Sequence, residues 1–333
     1  MKNKKHKVAV IIVILALIGS GFFMRLDYFL IRPSRALDLR EIIRVENADM
    51  DDQGTFYLVT VTQQRASPFT FIYGYLHPYM DLNPAERVIP GGMDESEYRQ
   101  LLADNMTESR HLAQVVALRR VGFEIDIISD GVEVIGFLDN APAGGLLELG
   151  DKIIFVDENP VFLATEVPVL VQDRLVGTEV QLSIIRDGQL MDLTVPTGPS
   201  PDNEEIPVIG IFIKTLPWEP VIPIDISFNT GRIGGPSAGL MFVLEIINQY
   251  LPEDITAGKT IAGTGTIDLN ENIGRIGGVV QKVIAAEKAG ADYFLVPEGN
   301  YEQAKKVARK VELIPVANLE EALNFLGSLK NLQ

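Results

Sequence analysis

Gly234-Gly235-Pro236-Ser237-Ala238-Gly239 runs directly into residues 240–250 (LMFVLEIINQY), an apolar stretch broken only by Glu245, Asn248 and Gln249. The pattern reads as a glycine turn that delivers a serine to the entry of a buried helix. At such an entry the first backbone N–H groups have no intrahelical partner and the helix dipole is positive, so an oxyanion developing beside Ser237 is stabilised there. The same residues also suit a serine that does no more than cap its helix. Residues 235–239 fit G-x-S-x-G, the nucleophile elbow of hydrolases in which a histidine follows the serine. His6, His77 and His111 all precede Ser237, which removes that chain order.

Lysine is the remaining strong candidate for a base, and seven lysines follow the serine: Lys259, Lys282, Lys288, Lys305, Lys306, Lys310 and Lys330. A lysine that accepts a proton near pH 7 needs its pKa lowered by about 3 units, which burial supplies. Lys282 lies in GGVVQKVIAAEKAG, flanked by Val279, Val280, Val283, Ile284 and Ala286. Lys305, Lys306 and Lys310 read as a solvated helix face, and Lys259 precedes a strand.

These residues reach a known family. Residues 234–239 and Gly277-Gly278-Val279-Val280-Gln281-Lys282 resemble the serine and lysine motifs of the Lon protease catalytic domain, in the same order and at a similar separation. Between them, residues 261–278 (IAGTGTIDLNENIGRIGG) resemble the family's connecting hairpin, and Thr264 falls at the threonine that bonds the catalytic lysine. The resemblance spans about residues 208–325 and implies Ser237 as nucleophile, Lys282 as general base and Thr264 as the residue orienting it. Two departures accompany it. Gly258-Lys259-Thr260 looks like the end of a P-loop, but the first glycine of G-x-x-x-x-G-K-[ST] is replaced by Glu253, so ATP-driven unfolding is not expected. The serine motif opens with Gly234-Gly235 where Lon has a polar residue.

Upstream, residues 198–207 (GPSPDNEEIP) read as a linker, and residues 121–197 alternate short strands with glycine turns. Within them Gly131-x-x-Val134, Ala141-Pro142-Ala143, Leu147, Gly150-Asp151-Lys152-Ile153 and Val156 resemble the bacterial PDZ pattern. That resemblance implies an exposed strand edge, here residues 122–127, which accepts an extended peptide beside a helix at residues 164–173. Before it, residues 55–63 (TFYLVTVTQ) and 69–76 (FTFIYGYL) read as a β-hairpin. A helix follows over residues 94–120, with Asp94, Glu95 and Glu97 early, Arg119 and Arg120 late, and Gly122 beyond its end.

At the start, Lys2, Lys4, Lys5 and Lys7 precede residues 8–24 (VAVIIVILALIGSGFFM), which carry no charge. As a helix these span about 26 Å and just cross a bilayer with Arg25 at its edge; the basic tail sets a cytoplasmic N-terminus. A cleaved signal peptide is the rival reading, but no A-x-A-like site follows the run. The remaining 25 basic residues face 45 acidic ones, and the net charge of -16 argues against a nucleic-acid partner. The absence of cysteine excludes disulfides, thiolate metal sites and thiol catalysis. No metal or other cofactor is expected: Asp49, Asp51 and Asp52 read as a solvated turn, and Gly263-Thr264-Gly265 lacks the third glycine of a dinucleotide loop.

The expected fold class is therefore α+β, made of a cytoplasmic tail and N-terminal transmembrane helix (together 1–33), a β-rich segment plus helix (34–120), a PDZ-like β module (121–197) and a Lon-like α+β catalytic domain (208–333). This order resembles the membrane-anchored, PDZ-containing Lon-like proteases of Gram-positive bacteria, the SepM type. The resemblance implies an ATP-independent serine endopeptidase outside the cell membrane, with peptides or unfolded proteins as partners and room for a homo-oligomer. The competing class is a noncatalytic, membrane-tethered PDZ scaffold.

Overall fold

A computed structural model describes residues 24–46, 48, 53–89, 93–200 and 204–330. All but the last residue of the apolar run 8–24, and the acidic residues Asp49, Asp51 and Asp52, lie outside the described residues. Among the described residues no helix is long and apolar enough to cross a membrane.

The chain divides into two compact units. One combines the residues up to Glu124 with those from Ile222 onward, and the other is Ile125–Val221. The first unit is built on a six-stranded mixed sheet in the order Glu312–Val316, Tyr293–Pro297, Thr260–Gly263, Thr55–Arg65, Tyr28–Asp38, Asp81–Pro84. Thr260–Gly263 runs parallel to both neighbours, with Ile261 opposite Tyr293 on one side and Phe56 on the other. Ile261, Ala262, Phe294, Leu295 and Val296 are all buried, the continuous apolar run expected of parallel strands covered on both faces.

This sheet corrects the expected boundaries. Residues 34–120 are not a separate segment, because their strands and those of the Lon-like region share one sheet. The helix Glu95–Arg120 packs against the helix Gly239–Tyr250 in the same way. Partners some two hundred residues apart leave no local mark in a sequence. Residues 69–76 are a second correction: Pro68–Leu76 is a helix, not a strand. Ser67 accepts from the Thr70 N–H, the Thr70 hydroxyl accepts from the Ser67 N–H, and Pro68 occupies the first turn. That capping box outweighs the strand preference of the aromatic residues. The helix Glu95–Arg120 does start as read, with Asp94 and Glu97 forming a second capping box.

The second unit holds a sheet in the order Gln189–Pro196, Glu179–Arg186, Lys152–Val156, Val132–Phe137, Ile211–Thr215, around a core that includes Val132, Val134, Ile153, Leu182 and Ile184. Asp187 and Gly188, both at positive φ, make the tight turn between its first two strands. The unit ends later than Thr197, since Ile211–Thr215 pairs with Val132–Phe137 and Trp218–Val221 pairs with Asp126–Ser129. Gly198–Pro199 pairs with Pro207–Val208, so both ends of the expected linker lie inside this unit rather than between domains. The edge expected at 122–127 is a strand only from Asp126, and one side of it is taken by Trp218–Val221.

Candidate active site

Ser237 sits on the turn before the helix Gly239–Tyr250, hereafter the serine helix. Gly235 adopts φ +88°, a conformation that side chains disfavour, and its N–H donates to the Leu102 carbonyl at 2.7 Å. The Ser109 hydroxyl donates to the Pro236 carbonyl at 3.2 Å. The helix Glu95–Arg120 thus holds the serine turn by two bonds from positions more than a hundred residues upstream, a contribution absent from the sequence reading. Its one sequence signal is Ser109, a polar residue buried in the face that also carries Met106 and Leu112.

The far side of the turn is fixed as firmly. The Ser237 carbonyl accepts from the Gly265 N–H and from the Thr264 hydroxyl, each at 3.0 Å, and the Leu240 N–H donates to the Gly265 carbonyl at 3.2 Å. Thr264 follows the central strand Thr260–Gly263 and is held by its own N–H on the Leu295 carbonyl. The cap position of the serine helix is Ala238, and no side chain bonds there. Ser237 is therefore not a capping serine.

Lys282 lies in the first turn of the helix Val279–Ala289 and is only 3% exposed. Its Nζ stands 2.6 Å from Ser237 Oγ and 2.9 Å from Thr264 Oγ1. Among the described residues no carboxylate pairs with it, so burial alone acts on the ammonium and brings its pKa down from 10.5 to about 7. The Thr264 hydroxyl has one proton, which it gives to the Ser237 carbonyl, and its lone pairs accept from Lys282. All three sequence-predicted residues thus meet at one point, with Ser237 half-buried and the other two sealed behind it. The remaining lysines do not compete: Lys288, Lys305, Lys306 and Lys310 are exposed, Lys259 is partly so, and Lys330 pairs with Glu253. Among the described residues no cluster of histidine, aspartate and glutamate has the makings of a metal site.

A serine hydroxyl against a buried amine has a defined chemistry. With Lys282 charged, its N–H groups donate to both hydroxyls and Ser237 is a poor nucleophile. With Lys282 neutral, one N–H still donates to Thr264, and the free lone pair accepts the proton of Ser237.

Residues 223–326 match the family described as the Lon protease (S16) C-terminal proteolytic domain. Lon protease 2 of Bacillus subtilis is 35% identical over 114 residues, 34% of this chain and 20% of that protein. The archaeal Lon protease of Methanocaldococcus jannaschii is 34% identical over 110 residues, 33% of this chain and 16% of that protein. The match thus spans a fifth or less of the length of these relatives. Among solved structures, the PDZ domain of an SdrC-like protein from Listeria innocua aligns over 25% of this chain and 93% of its own, at 24% identity and a TM-score of 0.24.

Proposed function

We propose that this chain is a serine endopeptidase that works without ATP, with Ser237 as nucleophile, Lys282 as general base and Thr264 as the residue that positions the amine. The observation that carries this reading is the 2.6 Å approach of a buried lysine amine to the serine hydroxyl, with Thr264 fixing the amine's direction. The match of residues 223–326 to the Lon proteolytic domain supports it independently.

Neutral Lys282 takes the Ser237 proton as Oγ attacks the carbonyl carbon of the scissile peptide. The oxyanion forms at the start of the serine helix, where the helix dipole is favourable. Lys282, now an ammonium, passes its proton to the departing amine, and the C–N bond breaks to leave an ester on Ser237. Water then attacks that ester, Lys282 again taking the proton, and Ser237 is regenerated.

The substrates proposed are segments already extended, since no complete P-loop is found in these 333 residues. The unit Ile125–Val221, whose motifs resemble a PDZ domain, is proposed to recruit them by strand addition on an edge not used by Trp218–Val221. The basic tail and uncharged run of residues 2–24 support anchorage in a membrane with this machinery outside the cell.

The test is Ser237→Ala, assayed on a peptide mixture with products mapped by mass spectrometry. The variant should lose all turnover and keep its thermal midpoint within a few degrees, because the hydroxyl removed caps no helix. Turnover retained in the purified variant overturns the assignment.

A further inference from the structure

The helix Pro68–Leu76 inverts the usual amphipathic order, in which the apolar stripe faces the core. Its buried position is Gly74, where a Cβ would stand 2.5 Å from Leu30 Cδ1, so the helix lies flush on the strand Tyr28–Asp38. Phe71, half-buried, meets Tyr28 edge-on with ring centres 5.1 Å apart. Outward point Ile72, Tyr73, Tyr75 and Leu76, exposed by 59%, 54%, 79% and 74%. Spacings of three and four residues gather these four on one side, and no residue from 68 to 76 is charged.

The place of this face in the chain says what covers it. Met24, the last residue of the uncharged run, is 55% exposed, and the Leu26 N–H donates to the Ala66 carbonyl at 2.8 Å. Ala66 directly precedes Ser67, the cap of the helix. Two residues of chain span at most about 7 Å, so the apolar run ends beside the first turn of the helix. Tyrosines with an apolar body and a polar tip favour the boundary between acyl chains and headgroups.

We infer that the helix Pro68–Leu76 lies in the interface of a lipid bilayer, with Ile72, Tyr73, Tyr75 and Leu76 immersed, and so holds the catalytic unit against the membrane surface. The inference rests on reading residues 8–24 as membrane-embedded. With no basic residue in the helix, its contact is apolar immersion and does not require anionic lipid.

The natural chain has no cysteine, so single cysteines report one site each. Leu76→Cys, Tyr73→Cys, Ile12→Cys and Glu312→Cys, each in the full chain, are labelled with an environment-sensitive fluorophore. The proteins are reconstituted in phosphatidylcholine vesicles with and without doxyl-labelled lipid. The labels at 76 and 73 should shift to the blue and be quenched by a shallow doxyl group, the label at 12 by a deep one, and the label at 312, on the opposite edge of the sheet, by neither. Water-like emission at 76 and 73 with quenching at 12 overturns the inference and leaves the anchor intact. Water-like emission at 12 as well overturns the anchor and the inference together. A blue shift at 76 that doxyl lipid does not quench, with energy transfer between differently labelled copies, makes a second copy of the chain the occupant and also overturns it.

Discussion

Lys282 is the residue on which charge and burial conflict most directly. Its ammonium has lost water and gained only two hydroxyls, so the proton leaves near pH 7 instead of near 10.5. Peptidase activity is therefore expected to rise with pH through an apparent pKa of about 7, read from kcat/KM against pH. Lys282→Arg should be inactive at every pH, since a guanidinium keeps the charge and cannot accept a proton. The same burial has a cost in stability. The unfolded chain holds this proton up to about pH 10.5 and the folded one only to about 7, so the penalty is complete below pH 7 and fades as pH rises towards 10.5. Lys282→Met should accordingly raise the unfolding free energy at pH 7 by on the order of a few kcal/mol, a gain that shrinks by pH 10. Thr264→Val keeps the shape and removes the hydroxyl that aims the amine. Its kcat should fall while the apparent pKa stays near 7; an unchanged kcat would mean that Thr264 positions nothing.

Among the elements, the serine helix carries the most structural consequence, because it is buried on nearly every side. Glu245 within it is fully buried, with one oxygen accepting from Gln249 at 2.6 Å and Oε2 without a partner among the described residues. Gln249 in turn bonds the Ile43 carbonyl and the Val45 N–H, tying the helix to the strand Ile43–Val45. Burial raises the Glu245 pKa to about 7 against the smaller, opposing effect of the Gln249 bond. Between pH 4.5 and 7 the folded state thus keeps a proton that the unfolded state releases. Stability is full below pH 4.5 and is lost as pH rises through 7, by about 3 kcal/mol in all. Glu245→Gln should match the natural chain at pH 4 and exceed it in thermal midpoint at pH 8. Equal midpoints at pH 8 would mean that the carboxylate finds compensation there.

For the whole molecule, the discontinuous first unit is what matters. A fragment of residues 208–333, the catalytic domain as the motifs delimit it, would lose the strand Thr55–Arg65 from the side of Thr260–Gly263. It would also lose the helix Glu95–Arg120 from the serine helix, and with it the bonds to Leu102 and Ser109 that set the serine turn. Open parallel strands and an uncovered apolar helix do not hold a fold. That fragment is expected to be insoluble or to lack cooperative unfolding by circular dichroism, whereas the full chain unfolds cooperatively. A soluble, active fragment would show that residues 24–124 are dispensable to the site.

How much was legible in the sequence follows from the range of each interaction. The serine turn, the lysine helix and the hairpin between them lie within about 45 residues; glycine placement and apolar flanks single out Ser237 and Lys282, while Thr264 enters only through the resemblance to the Lon catalytic domain. The boundary of the helix Glu95–Arg120 was equally readable, since its capping box is local. The helix Pro68–Leu76 was misread, because β-branched and aromatic content spoke louder than a four-residue cap whose force depends on packing Gly74 against Leu30. What only the tertiary structure decided is which segments share a core. The pairing of Thr55–Arg65 with Thr260–Gly263, the grip of residues 102 and 109 on the serine turn, and the extension of the second unit to Val221 all join residues far apart in the chain. The backbone bonds among these depend on no particular side chain, and the one side-chain donor, Ser109, carries no mark of where its partner lies, so the sequence holds no local record of which segments meet.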